Sequence, residues 1–510
     1  VNIATYSYDN GNRVDTRTYQ NGVVADYTYD ANNRIASLTH NHGATLIAGF
    51  THQYDDEGNK KNEEKPHQTG ASEAYAYDSI YRLVDYKVGT LVAGTVPVPV
   101  TQTAYNLDAV GNWDSKTTDA VTETRTHNAA NEITQIDAQA ITSDDNGNQT
   151  GDGQFTHEYD ENNRLIRVTR LSDSIVVGEY VYDALGRRAI KLTDGDGDSI
   201  QTETRFYYDD ARAIEDQDGA GTTQATYVCG NYVDEVLTMT TASGTYFYHQ
   251  NTLWSPHAIT DATGTVVERY SYDAYGKVTV TDGLGVPVAD NAWGTPHSAI
   301  GNRITFTGRE LDEETGLYFY RARIYDCAKG RFLSRDPLGY WSGINYYEYV
   351  YGRPTFYGDP SGLLPNVVEL KFEGLNLDIW PPTLEVKAYA EVQGSRYTNC
   401  GSESDTTTYS FNGELKIAPE GLTAKLGEIN LAVVVTQEIS RPPCSTTWLE
   451  IVGTISVTGV FRFEYRKQQI PATGCAQGSP CCNQGQAPNP PAPSPKIFLL
   501  RNTYEFTSTT

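Results

Sequence analysis

Two carboxylates of this chain stand where acid–base chemistry is open to them: Asp336 in SRDPLG and Asp359 in GDPSGL. In each run the following proline has a fixed φ and sets the aspartate at the head of a tight turn, so the carboxylate has a defined direction. When two such groups are close and buried, like charge keeps one protonated and the other ionised, the state that hydrolyses a peptide bond. The plain alternative is that both Asp-Pro-x-Gly runs are structural corners, a use to which that order of residues is well suited. Spacing along the chain does not say whether the two meet.

A second constellation, DGDGDS, carries Asp194, Asp196 and Asp198 in alternation, like the first half of a calcium loop. Its sixth position holds Ser199 in place of glycine, and its twelfth holds Arg205 in place of a bidentate glutamate. A polar hairpin tip is therefore the favoured reading, with calcium as the alternative. Other cofactors are not expected. Cys475, Cys481 and Cys482 match no common zinc spacing, and no His occurs after residue 363.

The elements that must position these groups are written as a repeat of about 20 residues, Y-x-Y-D-x-x-x-R. It appears as Tyr6, Tyr8, Asp9 and Arg13; as Tyr27, Tyr29, Asp30 and Arg34; and as Tyr75, Tyr77, Asp78 and Arg82. Later copies are His157, Tyr159, Asp160 and Arg164; Tyr180, Tyr182, Asp183 and Arg187; and Tyr270, Tyr272, Asp273 and Lys277. Tyrosines two apart on a strand share a face, and the Asp bonds its own backbone to start a turn. Asn12, Asn33, Asn163, Gly186 or Gly276 supplies the positive φ that such turns need. The basic residue is then free to lie over a neighbouring ring. Regular spacing makes the tyrosines scaffold in preference to a sugar-binding face.

Residues 1–363 resemble the bacterial RHS/YD-repeat family. The likeness rests on these repeats, on YFYHQNTLWSPHAITDATGTVVERYSYDAYGKV at Tyr246 to Val278, and on the closing segment from Gly308 to Leu363. The resemblance implies an all-β fold: a spiral YD-repeat hairpin shell over residues 1–300, and a core over 301–363 that plugs one end. It also implies that Asp336 and Asp359 form a self-cleaving aspartyl pair. Arg323 of RARIYD would tune them or bind the strand, and the cut would fall between Leu363 and Leu364. Any enzymatic activity would then be a single-turnover autoproteolysis, and the region C-terminal to the core would be a variable module. The repeats present make only part of the shell usual for the family, so closure would need further sequence, a partner or the tail.

That tail alternates apolar and polar residues in VVELKFEGLNLDI, TLEVKAYAEV, GEINLAVVVTQEI and WLEIVGTISVTGVFRFEY, which predicts a β-sandwich-like domain over 364–485. A proline-rich linker comes next at 486–495, able to reach about 30 Å. A terminal strand lies in 496–510, where Ile497 to Phe506 either folds back or is donated to a neighbouring copy to build a filament.

Net charge is −26, from 39 basic and 65 acidic residues, which argues against nucleic acid as a partner. The tail is nearly neutral, with 11 basic and 14 acidic residues after residue 363. Five of seven cysteines fall there, Cys400 and Cys444 among them, a clustering that fits disulfides in an oxidising extracellular space. No run approaches a membrane helix. The only methionine is Met239 and the first residue is Val1, so upstream sequence is expected. The expected function is a secreted or cell-surface shell with a structural, adhesive or assembly role. The alternatives are an RHS-type polymorphic toxin whose tail is the effector, and a carbohydrate-binding surface protein using Trp341 and Trp380.

Overall fold

The computed structural model describes residues 2–194, 198, 201–339 and 343–363, and beyond these the backbone of strands between 368 and 471. The chain divides into two compact units, Val1–Val367 and Val368–Thr510. Among the described residues there is no α-helix.

The first unit is built from antiparallel sheets whose strand order is the chain order: thirteen strands from Ala4–Tyr8 to Gln139–Ala140, then fourteen from Thr142–Ser143 to Val278–Asp282. Such a meander follows from turns that close within four residues. In the first repeat Asp9 Oδ1 accepts from the amides of Gly11 (2.8 Å) and Arg13 (3.0 Å), and Asp9 Oδ2 accepts from Arg13 Nε (2.8 Å). Asn12 takes the left-handed conformation at φ 58°, as Asn33, Asn163, Gly186 and Gly276 do at their turns. In the third copy Tyr81 occupies this position, at φ 70°, a conformation uncommon for an aromatic residue. The basic residue lies over a ring of the following repeat: Arg13 over Tyr29 and Arg34 over Tyr54, each at 4.3 Å, and Arg164 over Tyr182 at 4.8 Å.

A further bond stitches repeat to repeat. The second tyrosine of a unit donates its hydroxyl to the carbonyl just past the preceding turn: Tyr29 to Val14 (2.8 Å), Tyr54 to Ile35 (2.8 Å), Tyr182 to Leu165 (2.7 Å) and Tyr272 to Pro256 (2.8 Å). Each bond satisfies a carbonyl at a point where the turn bends the ladder. Tyr29, Tyr54 and Tyr182 are thus held twice, by a guanidinium over the ring and by the hydroxyl.

The two large sheets meet along a seam where Tyr19, Leu38 and Phe50 of the first pack against Leu237, Phe247 and Ala258 of the second. Burying a ring such as Phe50 completely contributes about 1.5–3 kcal/mol. The closing segment forms a small sheet of Glu310–Asp312, Leu317–Tyr320, Arg323–Asp326 and Arg331–Phe332. Its LYFY strand shows no polar alternation because both faces are covered. Tyr318 and Tyr320 join one apolar cluster with Tyr86, Trp113 and Tyr248, while Leu317 and Phe319 join another with Phe155, Val168 and Tyr180. A buried ion network ties this sheet to the wall: Arg188 contacts Glu310 at 2.8 Å and Asp312 at 2.7 Å, and Lys191 contacts Asp312 at 2.9 Å.

The second unit, described by itself, holds a two-stranded sheet of Val368–Phe372 with Leu375–Ile379. It also holds a five-stranded sheet in which Thr406–Gly413, Ile429–Glu438, Thr446–Ser456 and Val460–Glu464 pair in order and Gln468–Pro471 joins Thr446–Ser456. The predicted strands VVELKFEGLNLDI, GEINLAVVVTQEI and WLEIVGTISVTGVFRFEY are strands here. TLEVKAYAEV, the five tail cysteines, the 486–495 linker and the terminal strand lie outside the described residues.

Candidate active site

Arg323 opens a strand of the plug, one residue after the tight turn at Arg321 and Ala322, and its guanidinium lies 3.5 Å above the Phe332 ring on a neighbouring strand. Stacked there, Arg323 Nη1 donates to the Tyr346 carbonyl at 3.0 Å, and the Asp336 amide donates to that same carbonyl at 3.0 Å. Arg323 and Asp336 thereby come into register, and Arg323 Nη2 meets Asp336 Oδ2 at 2.9 Å. The same nitrogen meets Asp359 Oδ2 at 3.5 Å. One nitrogen thus touches two carboxylates that stand 23 residues apart in the chain. All three residues are buried, with 4 %, 5 % and 2 % of their surfaces exposed for Arg323, Asp336 and Asp359.

Each aspartate divides its oxygens between its own turn and Arg323. Asp336 Oδ1 accepts from the Leu338 amide at 2.8 Å, closing its own turn, and leaves Oδ2 to Arg323. Asp359 Oδ1 accepts from the amides of Ser361 (3.2 Å), Gly362 (2.9 Å) and Leu363 (3.2 Å) and from the Ser361 hydroxyl (3.2 Å). Its Oδ2 again faces the guanidinium. Each carboxylate thus closes its own turn with one oxygen and meets the shared guanidinium with the other.

Burial pushes the Asp359 carboxyl up to about 6, with the Asp336 charge adding to the rise and Arg323 and the Leu363 amide opposing it. Burial also holds the Arg323 guanidinium below its ordinary value, against the pull of both carboxylates. Two carboxylates sharing one cation, one of them with a raised proton affinity, is an arrangement able to take a proton from water and give one to a leaving amine.

Of the residues expected from sequence, Asp336, Asp359 and Arg323 are brought together, and Leu363 lies beside them with 9 % of its surface exposed. Leu364 lies outside the described residues, as do Asp196, Trp341 and Trp380. Asp194 is fully buried and its carbonyl accepts from the Trp293 indole, whereas Asp198 is exposed. Among the described residues no group of three His, Cys, Asp or Glu side chains is placed to hold a metal ion. Cys229 and Cys327 are free thiols. Sequence reasoning missed Phe332, which orients Arg323, and Ser361, whose hydroxyl and amide both serve Asp359. The only signal for Ser361 was its place two residues after an Asp-Pro aspartate.

A family model described as teneurin YD-shell matches residues 53–350, which include Arg323 and Asp336 and stop short of Asp359. The chain is similar to the tRNA3(Ser)-specific nuclease WapA of Bacillus spizizenii, 32 % identical over 268 residues, covering 51 % of this chain and 11 % of that protein. It is also similar to the double-stranded DNA deaminase toxin A of Burkholderia cenocepacia, 30 % identical over 226 residues, covering 40 % of this chain and 15 % of that protein. Among solved structures, the Photorhabdus luminescens Tc holotoxin pore aligns with a TM-score of 0.57 at 20 % identity, over 74 % of this chain and 20 % of that one. That last likeness is one of fold. In every case the chain spans only a small part of the relative's length.

Proposed function

This chain belongs to the teneurin YD-shell family, and we propose that it is an extracellular shell whose plug cuts the chain once behind Leu363, freeing the C-terminal module from its covalent tie. The observation that carries the reading is the buried Asp336–Arg323–Asp359 cluster with the Leu363 amide bonded to Asp359. In the reaction Asp336, the nearer partner of Arg323, takes a proton as water attacks the Leu363 carbonyl carbon. Asp359, the carboxyl with the raised proton affinity, protonates the departing nitrogen of Leu364 as the C–N bond breaks. The products are a Leu363 carboxylate and a Leu364 amine, and Arg323 holds the excess negative charge throughout.

The names of the relatives, a nuclease and a deaminase toxin, support a shell that delivers the module C-terminal to its core. The same shell serving as an adhesive or assembly component is the second reading, favoured by a tail with no His and a near-neutral charge. Intact mass of the full chain tests the cut: a break between Leu363 and Leu364 that disappears in Asp336→Asn is expected, and an unbroken wild-type chain refutes it. Growth arrest on expressing residues 364–510 inside a bacterium separates delivery from adhesion.

A further inference from the structure

The segment that enters the cut is held by more than its catalytic neighbours. Three successive carbonyls are each occupied from the turn that precedes the Arg323 strand: Pro360 by Arg321 Nη1, Ser361 by the Ala322 amide at 3.1 Å, and Gly362 by Arg323 Nε. The next carbonyl in line is that of Leu363, the one the proposed cleavage attacks. Pro360 has a second guanidinium on it, Arg309 Nη1 at 3.1 Å. Both arginines are steered by one carboxylate, Asp234, with Arg321 Nη2 at 3.0 Å and Arg309 in closer contact. Arg321 Nε donates further to the Ala211 carbonyl at 3.1 Å.

A neutral amide N–H would satisfy a buried carbonyl, yet this one receives two charged donors, each a stronger bond than a neutral one. Arg321 also sits at φ 62°, a left-handed turn position usually given to Asn or Gly, so the backbone gains nothing from an arginine there. The arginine contributes through its side chain instead. Asp234 and Ala211 belong to turns of the fourteen-stranded sheet, Asp234 just before Val236–Thr241 and Ala211 just before Arg212–Asp218. The contacts of Arg323, by contrast, come from within the plug.

We propose that Arg309 and Arg321, oriented by Asp234, are positioning residues: they register the 360–363 strand against the carboxylates only once the wall has docked on the plug, so that cleavage follows assembly of the shell. The proposal rests on the self-cleavage reading above. Displacing a reacting strand by about 1 Å is enough to slow a positioned reaction about a hundredfold.

The test is the self-cleavage time course of the full chain, followed by intact mass, for wild type, Asp336→Asn, Arg321→Asn and Arg309→Lys. Asn suits the left-handed turn and Asp234 keeps Arg309, so Arg321→Asn is expected to fold, with a cooperative thermal melt, while cutting at least about tenfold more slowly. Its rate–pH profile should keep the wild-type midpoint with a lower plateau, and added methylguanidine should restore part of the rate, which a role in stability alone would not allow. Arg309→Lys keeps one charged donor and should cut at an intermediate rate. A wild type that cuts alongside an Arg321→Asn that cuts equally fast overturns the clamp and leaves the carboxylate pair standing. A wild type that stays whole overturns both.

Discussion

Four imidazoles buried at the seam between the two large sheets make a quantitative case. His40 and His52 come from the first sheet, His249 and His257 from the second, and none exposes more than 5 % of its surface. His40 Nε2 lies 2.9 Å from the Gln250 carbonyl, His40 and His249 stand 5.2 Å apart edge to face, and His257 packs on Phe50 at 4.7 Å. Burial pushes His40 and His52 down to about 3 and holds His249 and His257 well below the ordinary range. The charges around them deepen the effect. Arg17 faces His40 and His249, Lys60 and Lys65 face His52, Lys65 faces His257, Arg269 faces His249, and Glu63 opposes at His52 and His257.

The native imidazoles stay neutral while those of the unfolded chain bind protons below about 6.5, so the unfolded state binds more protons and stability falls as pH falls through that value. Because pH 5 is about 1.5 below that reference, His40 and His52, both still neutral in the native state, each cost about 2 kcal/mol of stability there, and His249 and His257 act in the same direction. Buried carboxyls with raised native values work the other way: Glu313 and Glu348, each pushed up to about 7 by burial, Asp359 at about 6, and Asp273 and Glu314, both raised by burial. They add stability as pH falls over the same range, so the melting point of the whole chain mixes opposing effects and a single-residue comparison is needed. The clean perturbation is His40→Gln, whose amide is able to keep the bond His40 Nε2 makes to the Gln250 carbonyl at 2.9 Å. Stability of variant and wild type, measured at about pH 7.5 and again at about pH 5, should show the variant gaining about 2 kcal/mol on wild type in acid. An equal difference at both pH values would refute the reasoning.

Other outcomes concern the plug. If Asp359 acts as the acid, the self-cleavage rate should fall as pH rises through about 6, and Asp359→Asn should abolish the cut. Because the native carboxyl binds its proton more tightly than the unfolded one, its stabilising contribution is full at low pH and lost above that value. Asp359→Asn should therefore compare better with wild type in a thermal melt above pH 6 than below it. Gly362→Ala should slow the cut and cost about 1–3 kcal/mol, since Gly362 lies at φ 72° and a Cβ there would stand 2.2 Å from the Tyr320 carbonyl oxygen. Arg188→Met should cost about 3 kcal/mol in denaturant unfolding, because it takes the main counter-charge from buried Asp312, which keeps only Lys191, and one of two from Glu310, which keeps Arg303.

Much of the wall was legible in the chain because its signals act over a few residues. An aspartate that closes its turn on amides two and four residues on, as Asp9 does with Gly11 and Arg13, needs no distant partner, and neither does an Asn in the left-handed position after it. Alternating tyrosines and short turns then dictate a meander, in which each strand pairs with the next. The stacking of Arg13 on Tyr29 was foreseeable for the same reason, one repeat reaching the next. The hydroxyl bonds from Tyr29 to Val14 and from Tyr182 to Leu165 were not read in advance, because they depend on how far the sheet twists between repeats.

The amino-acid order by itself determined the turn that aims each of Asp336 and Asp359, since Pro and Gly set backbone angles locally. That the two aim at one guanidinium was decided by tertiary packing: Phe332 fixes the plane of Arg323, and the Tyr346 carbonyl brings Asp336 to it. The seam histidines and the Asp234-steered arginines belong to the same class. Their partners lie tens to hundreds of residues away, and no local pattern encodes a contact whose geometry exists only after two sheets and a plug have closed on one another.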